Sequence, residues 1–140
     1  MKRIIEEVVK LEKLVPGGQA IGDLADGRKV FVWGALPGET ALIRLTKLKK
    51  THAEAITTEI IKPSPDRIVP RDDCFLATSP WQIMTEPAES RHKVALVKEA
   101  FRQHRVEIEP NEIVGDGRYY HYRNKMEYSL WWDHQTERIY

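Results

Sequence analysis

The stretch that decides the fold runs from position 26 to position 33 and reads Asp26-Gly27-Arg28-Lys29-Val30-Phe31-Val32-Trp33. An Asp-Gly pair beside an alternating run is the strongest short-range signal for a β-hairpin, because the tight turn needs residues that accept positive φ. In the run after the turn, Val30 and Val32 share one face of a strand, and Phe31 and Trp33 share the other. The pattern predicts a hairpin whose second strand has a valine face and an aromatic face.

Further strand candidates lie on both sides of this hairpin. Residues 4–14 fit a helix by periodicity, but their β-branched side chains and the Pro16-Gly17-Gly18 stop are equally compatible with a strand. The other candidates are residues 19–24, 40–48 and 51–62. Five candidates in about 60 residues predict a small closed five-stranded barrel over residues 1–62. Such a barrel has little core, and we expect it to gain from packing on the segment after residue 62.

The pattern changes after residue 62, which makes the whole chain α+β. Pro63-Ser64-Pro65-Asp66-Arg67 predicts a linker, and residues 63–85 together read as a linker and an irregular segment. Residues of about 87–105 form the one good helix candidate, and residues 119–132 read as a strand. A turn at 133–136 then leads into a second strand. We expect residues 86–140 to be the start of a second small α/β domain, truncated within a longer protein, because a hairpin ending there leaves an unpaired apolar edge.

Composition and charge limit the function classes. The 140 residues include 22 Lys plus Arg and 21 Asp plus Glu, so the formal net charge is +1. Residues 1–62 hold 11 basic and 8 acidic residues, a mild basic excess that is compatible with a polyanionic partner or with an ordinary solvated surface. No apolar run approaches the 18–20 residues of a membrane span, and because Glu6 and Glu7 follow only two apolar residues we do not expect residues 1–7 to belong to a signal peptide. We therefore expect a cytoplasmic protein without a membrane partner.

Catalytic and metal chemistry have little support in these residues. Cys74 is the single cysteine, which excludes an internal disulfide and any metal site built only from thiolates of this chain. Asp72 and Asp73 precede it, so local charge does not favour a reactive thiolate. The phosphate-loop, dinucleotide, zinc-protease and nucleophile-elbow motifs are all missing from the sequence. We predict no catalytic residue and no metal site.

Three groups of residues are candidates for binding a nucleic acid. The first is a cationic cluster, which suits phosphates but also suits a solubilising loop: Lys47, Lys49, Lys50 and His52, near Arg44. The second is the aromatic face of Phe31 and Trp33, which stacks bases in some barrels and packs in most strands. The third alternates basic and aromatic residues, although its cations have acidic neighbours at Asp116 and Glu127: Arg118, Tyr119, Tyr120, His121, Tyr122, Arg123 and Lys125.

The ordered set of motifs resembles a family. Residues 15–22 (Val-Pro-Gly-Gly-Gln-Ala-Ile-Gly), the Asp26-Gly27 run and residues 35–39 (Ala-Leu-Pro-Gly-Glu) resemble the TRAM domain at the N-terminus of RNA uracil-C5 methyltransferases. Residues 62–70 are similar to the linker of that family, residues 93–101 lie where it has a helix, and residues 122–129 resemble the start of its central β domain. The resemblance covers nearly the whole chain.

The resemblance implies a fold and a function. A TRAM domain is an OB-like, RNA-binding barrel, and the full enzymes transfer a methyl group from S-adenosylmethionine to carbon 5 of a uridine in ribosomal or transfer RNA. Their catalytic cysteine and cofactor domain lie beyond this stretch, so the chain resembles the recognition end of such an enzyme and binds no cofactor itself. We predict that RNA contacts the cationic cluster, Phe31 or Trp33, Arg67, and Arg123 with Lys125. The alternatives are an OB-like scaffold or protein-interaction module, and a stand-alone RNA-binding protein.

One departure from the family concerns iron. Many members carry a four-cysteine iron–sulfur cluster, and Cys74 matches the first position of the run that supplies three of those cysteines. The residues from Ser79 to Trp81 do not match that run. Because one thiolate cannot hold a cluster, we predict that none is bound and that Pro80 and Trp81 fill the space by packing.

Overall fold

Five strands close into a barrel in the first part of the chain. The computed structural model describes residues 4–122, 124–125 and 127–139. The barrel strands are β1 (Glu6–Leu14), β2 (Ala20–Asp23), β3 (Lys29–Trp33), β4 (Thr40–Leu48) and β5 (His52–Lys62). Their order around the barrel is β1-β2-β3-β5-β4, and β4 pairs with β1 to close it. Only the β3–β5 pair is parallel among these neighbours. The predicted OB-like barrel is confirmed, and residues 6–14 of the ambiguous first segment are a strand.

Alternation along the strands separates the core from the outer surface. Val30 and Val32 are fully buried inside the barrel, while Phe31 and Trp33 on the same strand are half-buried on its outside. Several interior positions carry only alanine, which fits the narrow space inside a five-stranded barrel: Ala20, Ala41, Ala53 and Ala55. The two faces predicted for the third strand are therefore confirmed.

Two glycines allow close approaches that larger residues would prevent. A Cβ atom at Gly22 would lie 2.6 Å from the carbonyl oxygen of Lys10, so β1 and β2 can cross at this distance only with glycine there. Gly18 has φ +99, and a Cβ atom at this position would lie 3.0 Å from Nε1 of Trp81. Gly18 is thus where the turn after β1 meets the chain that comes after the barrel.

Residues 63–88 pack against the barrel. The helices in this part are α1 (Phe75–Thr78) and α2 (Glu86–Gln103). Ile83, Met84 and Ala88 are buried in one core with the barrel strands, and Trp81 is half-buried beside them. The indole N–H of Trp81 donates a hydrogen bond to the carbonyl oxygen of Gly18 at 3.3 Å. This segment therefore adds buried side chains to the barrel core, as expected.

The last part of the chain has less regular structure than its sequence predicts. Only Trp132 among the described residues of 119–132 belongs to a strand, so the prediction of a continuous strand there is wrong. Tyr122, Tyr128 and Leu130 are all more than 60% exposed, and an isolated strand needs a buried face and a hydrogen-bonded neighbour. A short hairpin comes next, in which the two-residue strand β6 (Trp132–Asp133) pairs with the two-residue strand β7 (Arg138–Ile139). Neither α1 nor α2, the helices of the described residues, has the length and the apolar composition that a membrane span requires.

Candidate nucleic-acid interface

The outer surface of β3, β5 and β4 brings most of the predicted contacts together. In the strand register Phe31 lies beside Glu54, which lies beside Lys47, and two residues further along Trp33 lies beside Ile56, which lies beside Arg44. His52 pairs with Lys29 at the near end of the same surface. We call this surface the β3–β5–β4 face: it consists of Phe31 and Trp33, then His52, Glu54 and Ile56, then Arg44 and Lys47.

A β-bulge places Lys47 on this face. Ala41, Ile43 and Leu45 point into the barrel, and strict alternation would turn Lys47 inward as well. The register shifts between Leu45 and Lys47, and the hydroxyl of Thr46 donates to the carbonyl oxygen of Glu54 at 3.0 Å. The extra residue re-aims the side chains after it, as bulges do in antiparallel pairs. As a result, the ammonium group of Lys47 lies outside, 3.6 Å from a carboxylate oxygen of Glu54.

The turn between β4 and β5 is braced by Arg28, which the sequence pattern alone does not single out. The backbone N–H of Lys49 donates to the carbonyl oxygen of His52 at 2.9 Å, which closes the turn. Nη1 of Arg28 donates to the carbonyl oxygen of Lys49 at 2.9 Å, and its Nε donates to Asp26 at 2.9 Å. The hydrogen bond from the Arg28 side chain lowers the pKa of the Asp26 carboxyl. The hairpin at Asp26 is thereby tied to the lysine-bearing turn.

Glu54 carries the only acidic group that contacts the cationic cluster among the described residues. The same carboxylate oxygen lies 3.6 Å from Nζ of Lys47 and 3.6 Å from Nζ of Lys49. Lys50 and Arg44 are exposed and form no ion pair within the part of the chain that the structure describes. In the strand register Glu6 of β1 also lies beside Arg44, so four cationic side chains have two acidic neighbours and the local charge stays positive.

The aromatic residues are not equally available. The ring of Phe31 meets the ring of His52 edge to face, with centroids 5.6 Å apart and planes at 90°. Trp33 lies 3.5 Å from the place where a Cβ atom at Gly18 would be, close to Pro80 and Trp81. Part of the Trp33 surface is therefore taken by the segment that packs on the barrel. Phe31, beside His52, is the better candidate for stacking a base.

Arg67 is largely buried against the barrel, a position that its sequence context does not predict. Its Nε donates to one carboxylate oxygen of Glu39 at 2.6 Å, and its Nη2 donates to the other at 2.7 Å and to the carbonyl oxygen of Gly34 at 2.9 Å. Glu39 is 0% exposed, so this is a buried, bidentate ion pair. The guanidinium of Arg67 is thus held by the barrel, and a phosphate would have to compete with a buried carboxylate; the contact of Arg67 with RNA stays a prediction.

The third candidate group lies only partly within the described residues. Arg123 is outside them. Lys125 is highly exposed and pairs with Glu127 at 2.8 Å, and the backbone N–H of Arg118 donates to Asp116 at 2.9 Å. Arg71 stacks on the ring of Tyr120, with its guanidinium carbon 3.7 Å from the centroid. Among the described residues, no hydrogen bond, ion pair or ring contact joins these residues to the β3–β5–β4 face, so we treat them as a separate group.

The surroundings of Cys74 do not fit an iron–sulfur cluster. Cys74 is exposed at the start of α1, and it is the single thiol in the sequence, whereas a cluster needs four ligands. The space beside Gly18 is filled by Trp81 and by Pro80, whose ring lies 3.4 Å from the place where a Cβ atom at Gly18 would be. Both residues thus pack beside Gly18, and their replacement of a cluster stays a prediction.

Comparison with known proteins identifies the barrel. The TRAM domain family matches residues 6–57, which run from the start of β1 into β5. This part of the chain is a TRAM domain. The match covers every residue of the β3–β5–β4 face, so the predicted contacts on β3, β4 and the start of β5 all lie in the TRAM domain.

The relatives of the whole chain are RNA methyltransferases. An uncharacterised RNA methyltransferase of Gloeobacter violaceus is 33% identical over 137 residues, covering 94% of this chain and 30% of the relative. The 23S rRNA (uracil(1939)-C(5))-methyltransferase RlmD of Nitrosococcus oceani is 30% identical over 135 residues, covering 92% of this chain and 30% of that protein. RlmD of Dichelobacter nodosus is 52% identical over 46 residues, covering 33% of this chain and 11% of that protein. The resemblance to the RNA uracil-C5 methyltransferase family is confirmed, and the chain spans less than a third of the length of these relatives.

Proposed function

We propose that this chain is the RNA-binding N-terminal region of an RNA uracil-C5 methyltransferase and that RNA lies on the β3–β5–β4 face. The observation that carries the proposal is the order of side chains across three neighbouring strands: an aromatic ring on β3 and cations on β4, with β5 between them. The TRAM match and the named activities of the relatives support the same reading.

The face suits a single strand rather than a duplex. A nucleotide carries its base and its phosphate on opposite sides of the sugar, so a strand laid along β5 would turn its bases toward Phe31 and its phosphates toward Lys47 and Arg44. In a duplex the bases are stacked inside and cannot reach a side chain on a flat sheet. The combination of an aromatic platform and a cationic border is typical of single-stranded nucleic-acid binding.

In the proposed whole enzyme, S-adenosylmethionine supplies the methyl group, and the substrate is a uridine in ribosomal or transfer RNA. The residues of this chain contribute RNA binding and no step of the transfer. We propose the division into a TRAM barrel (1–62), a connecting segment (63–85) that is docked on the barrel, and the start of a central domain (86–140). We also propose a cytoplasmic location.

The experiment is an RNA titration at several salt concentrations with a labelled single-stranded oligonucleotide of about 12 nucleotides, within the range that one OB fold covers. The double substitution Lys47→Ala with Lys49→Ala should weaken binding and lower the slope of log K against log salt by up to about 1.4, since each contact to a single strand accounts for about 0.7. Lys93→Ala with Lys98→Ala removes two ion-paired lysines from α2 and is the matched control. An unchanged slope in the first variant, or an equal loss in the second, would contradict the proposed face.

A further inference from the structure

Glu54 has a position that the proposed function does not explain. A surface that only collects phosphates has no need of a carboxylate at its centre, and β5 places Glu54 in the middle of the row between Phe31 and Lys47. One of its oxygens is equidistant from the two ammonium groups of Lys47 and Lys49, at 3.6 Å from each. That is the place between two cations that an oxygen of a bound phosphate would take.

The contacts show that Glu54 is not needed to build the sheet at this point. Its backbone carbonyl, and not its side chain, accepts the hydrogen bond from Thr46. Its side chain is 37% exposed, and both lysines that it meets are more exposed still. Exposed ion pairs of this kind add little to folding stability. The carboxylate therefore affects mainly the charge that an incoming ligand meets.

We propose that Glu54 is an internal competitor for the RNA phosphate at the Lys47–Lys49 pair and holds the RNA affinity of the TRAM domain down. This inference rests on the proposed function, because it needs RNA on the β3–β5–β4 face. In the free protein Glu54 neutralises part of the charge of both lysines. When RNA binds, the lysines turn from the carboxylate to a phosphate, which then lies near the carboxylate and is repelled by it. The binding free energy therefore reflects the difference between the interaction of the lysines with the phosphate and their interaction with Glu54.

The expected gain in RNA affinity follows from the distances between the Glu54 carboxylate and the two ammonium groups. Two unit charges about 4 Å apart in water interact strongly enough to change an equilibrium constant by about fivefold. Glu54→Gln keeps the shape of the side chain and removes its charge, so we expect RNA to bind about fivefold more tightly at low salt. Because salt screens exposed charges, the gain should shrink as the salt concentration rises. Glu54→Ala should change affinity in the same direction, which separates the effect of charge from that of the amide.

The test uses the full 140-residue chain and a labelled single-stranded oligouridylate of about 12 nucleotides. Glu59→Gln removes the same charge from the same strand five residues away and should change the affinity less than twofold. Combined with Lys47→Ala and Lys49→Ala, the substitution Glu54→Gln should lose most of its effect, since its action depends on those lysines. Thermal unfolding of each variant shows that the fold is kept.

The outcomes separate the two proposals. Tighter binding by both Glu54 variants, absent in Glu59→Gln, supports the inference. Unchanged or weaker binding, with the unaltered chain still dependent on Lys47 and Lys49, overturns it and leaves the proposed RNA face standing; weaker binding would mean that Glu54 orients the lysines. If the unaltered chain binds no RNA, the proposed function fails and the inference fails with it.

Discussion

Arg67→Ala tests whether the guanidinium of Arg67 serves the fold or the RNA. Glu39 is fully buried and accepts four hydrogen bonds: two from the Arg67 guanidinium, one from the backbone N–H of Leu36 at 2.8 Å and one from that of Ser64 at 3.0 Å. The substitution removes the only charged partner that Glu39 has among the described residues and leaves a carboxylate inside the protein. Removing one member of a buried ion pair costs about 3–5 kcal/mol, because the remaining charge is uncompensated.

The two backbone donors remain in the variant, which places the expected loss near the lower end, at about 3 kcal/mol. That is a large fraction of the roughly 5–15 kcal/mol that stabilises a typical domain. The assay is urea unfolding followed by circular dichroism and tryptophan fluorescence. Arg91→Ala is the matched control, since Arg91 pairs with Asp66 at 2.8 Å but its side chain is 61% exposed. We expect the control to cost less than about 1 kcal/mol.

Two further measurements sharpen the Arg67 experiment. Glu39→Gln introduced into the Arg67→Ala chain should restore part of the stability, because a neutral amide is less costly to bury than a charge. Under conditions in which the Arg67→Ala variant is folded, the slope of log K against log salt for RNA binding should be the same as in the unaltered chain. A loss of stability below about 1 kcal/mol would refute the reasoning about the buried ion pair. A lower salt slope in a folded variant would show that Arg67 contacts RNA.

Two shorter predictions concern the turn and the helix. Arg28→Ala removes the hydrogen bond to the carbonyl oxygen of Lys49, so the lysine-bearing turn should become more mobile. RNA should then bind roughly threefold to tenfold more weakly, as for the loss of about one hydrogen bond. Unchanged affinity in the RNA titration would contradict this prediction. Burial and the neighbouring Arg91 lower the pKa of His92, so the unfolded chain binds this proton more tightly than the folded one. Stability should therefore be complete above about pH 6.5 and fall as the pH drops below it, and His92→Gln should flatten that part of a urea-midpoint profile measured from about pH 5 to pH 7.5.

The parts of the fold that the sequence predicts are those set by local pattern. Asp26-Gly27 places the hairpin, and the alternation from Val30 to Trp33 assigns each side chain of β3 to the core or to the outside. These features depend on neighbouring residues only. The prediction of a strand over 119–132 is wrong for the described residues because it also used local pattern only. The tyrosines and tryptophans of this segment have a local preference for strands, but a strand forms only when a neighbouring strand pairs with it.

The parts of the site that the sequence does not predict depend on pairing across the fold. Lys47 faces the outside because β4 shifts register against β5, and nothing between Leu45 and Lys47 marks the bulge. Glu54 meets Lys47 and Lys49 only after the two strands are aligned. The sequence therefore predicts that the cationic residues lie together but cannot show that an acidic residue lies among them.

Asp66 and Arg67 show how two adjacent residues connect the barrel to α2. Arg67 reaches back to Glu39, and Asp66 accepts two hydrogen bonds from Arg91 on α2 while its carbonyl oxygen accepts the N–H of Thr85. One peptide unit thus holds the barrel on one side and the start of α2 on the other. Because Ile83, Met84 and Ala88 complete the barrel core, the position of α2 relative to the β3–β5–β4 face is set by burial as well as by these polar contacts. The start of α2 is therefore held on the barrel by two kinds of contact, polar bonds through Asp66 and Arg67 and apolar burial of Ile83, Met84 and Ala88, and the loss of either kind alone should leave the other in place.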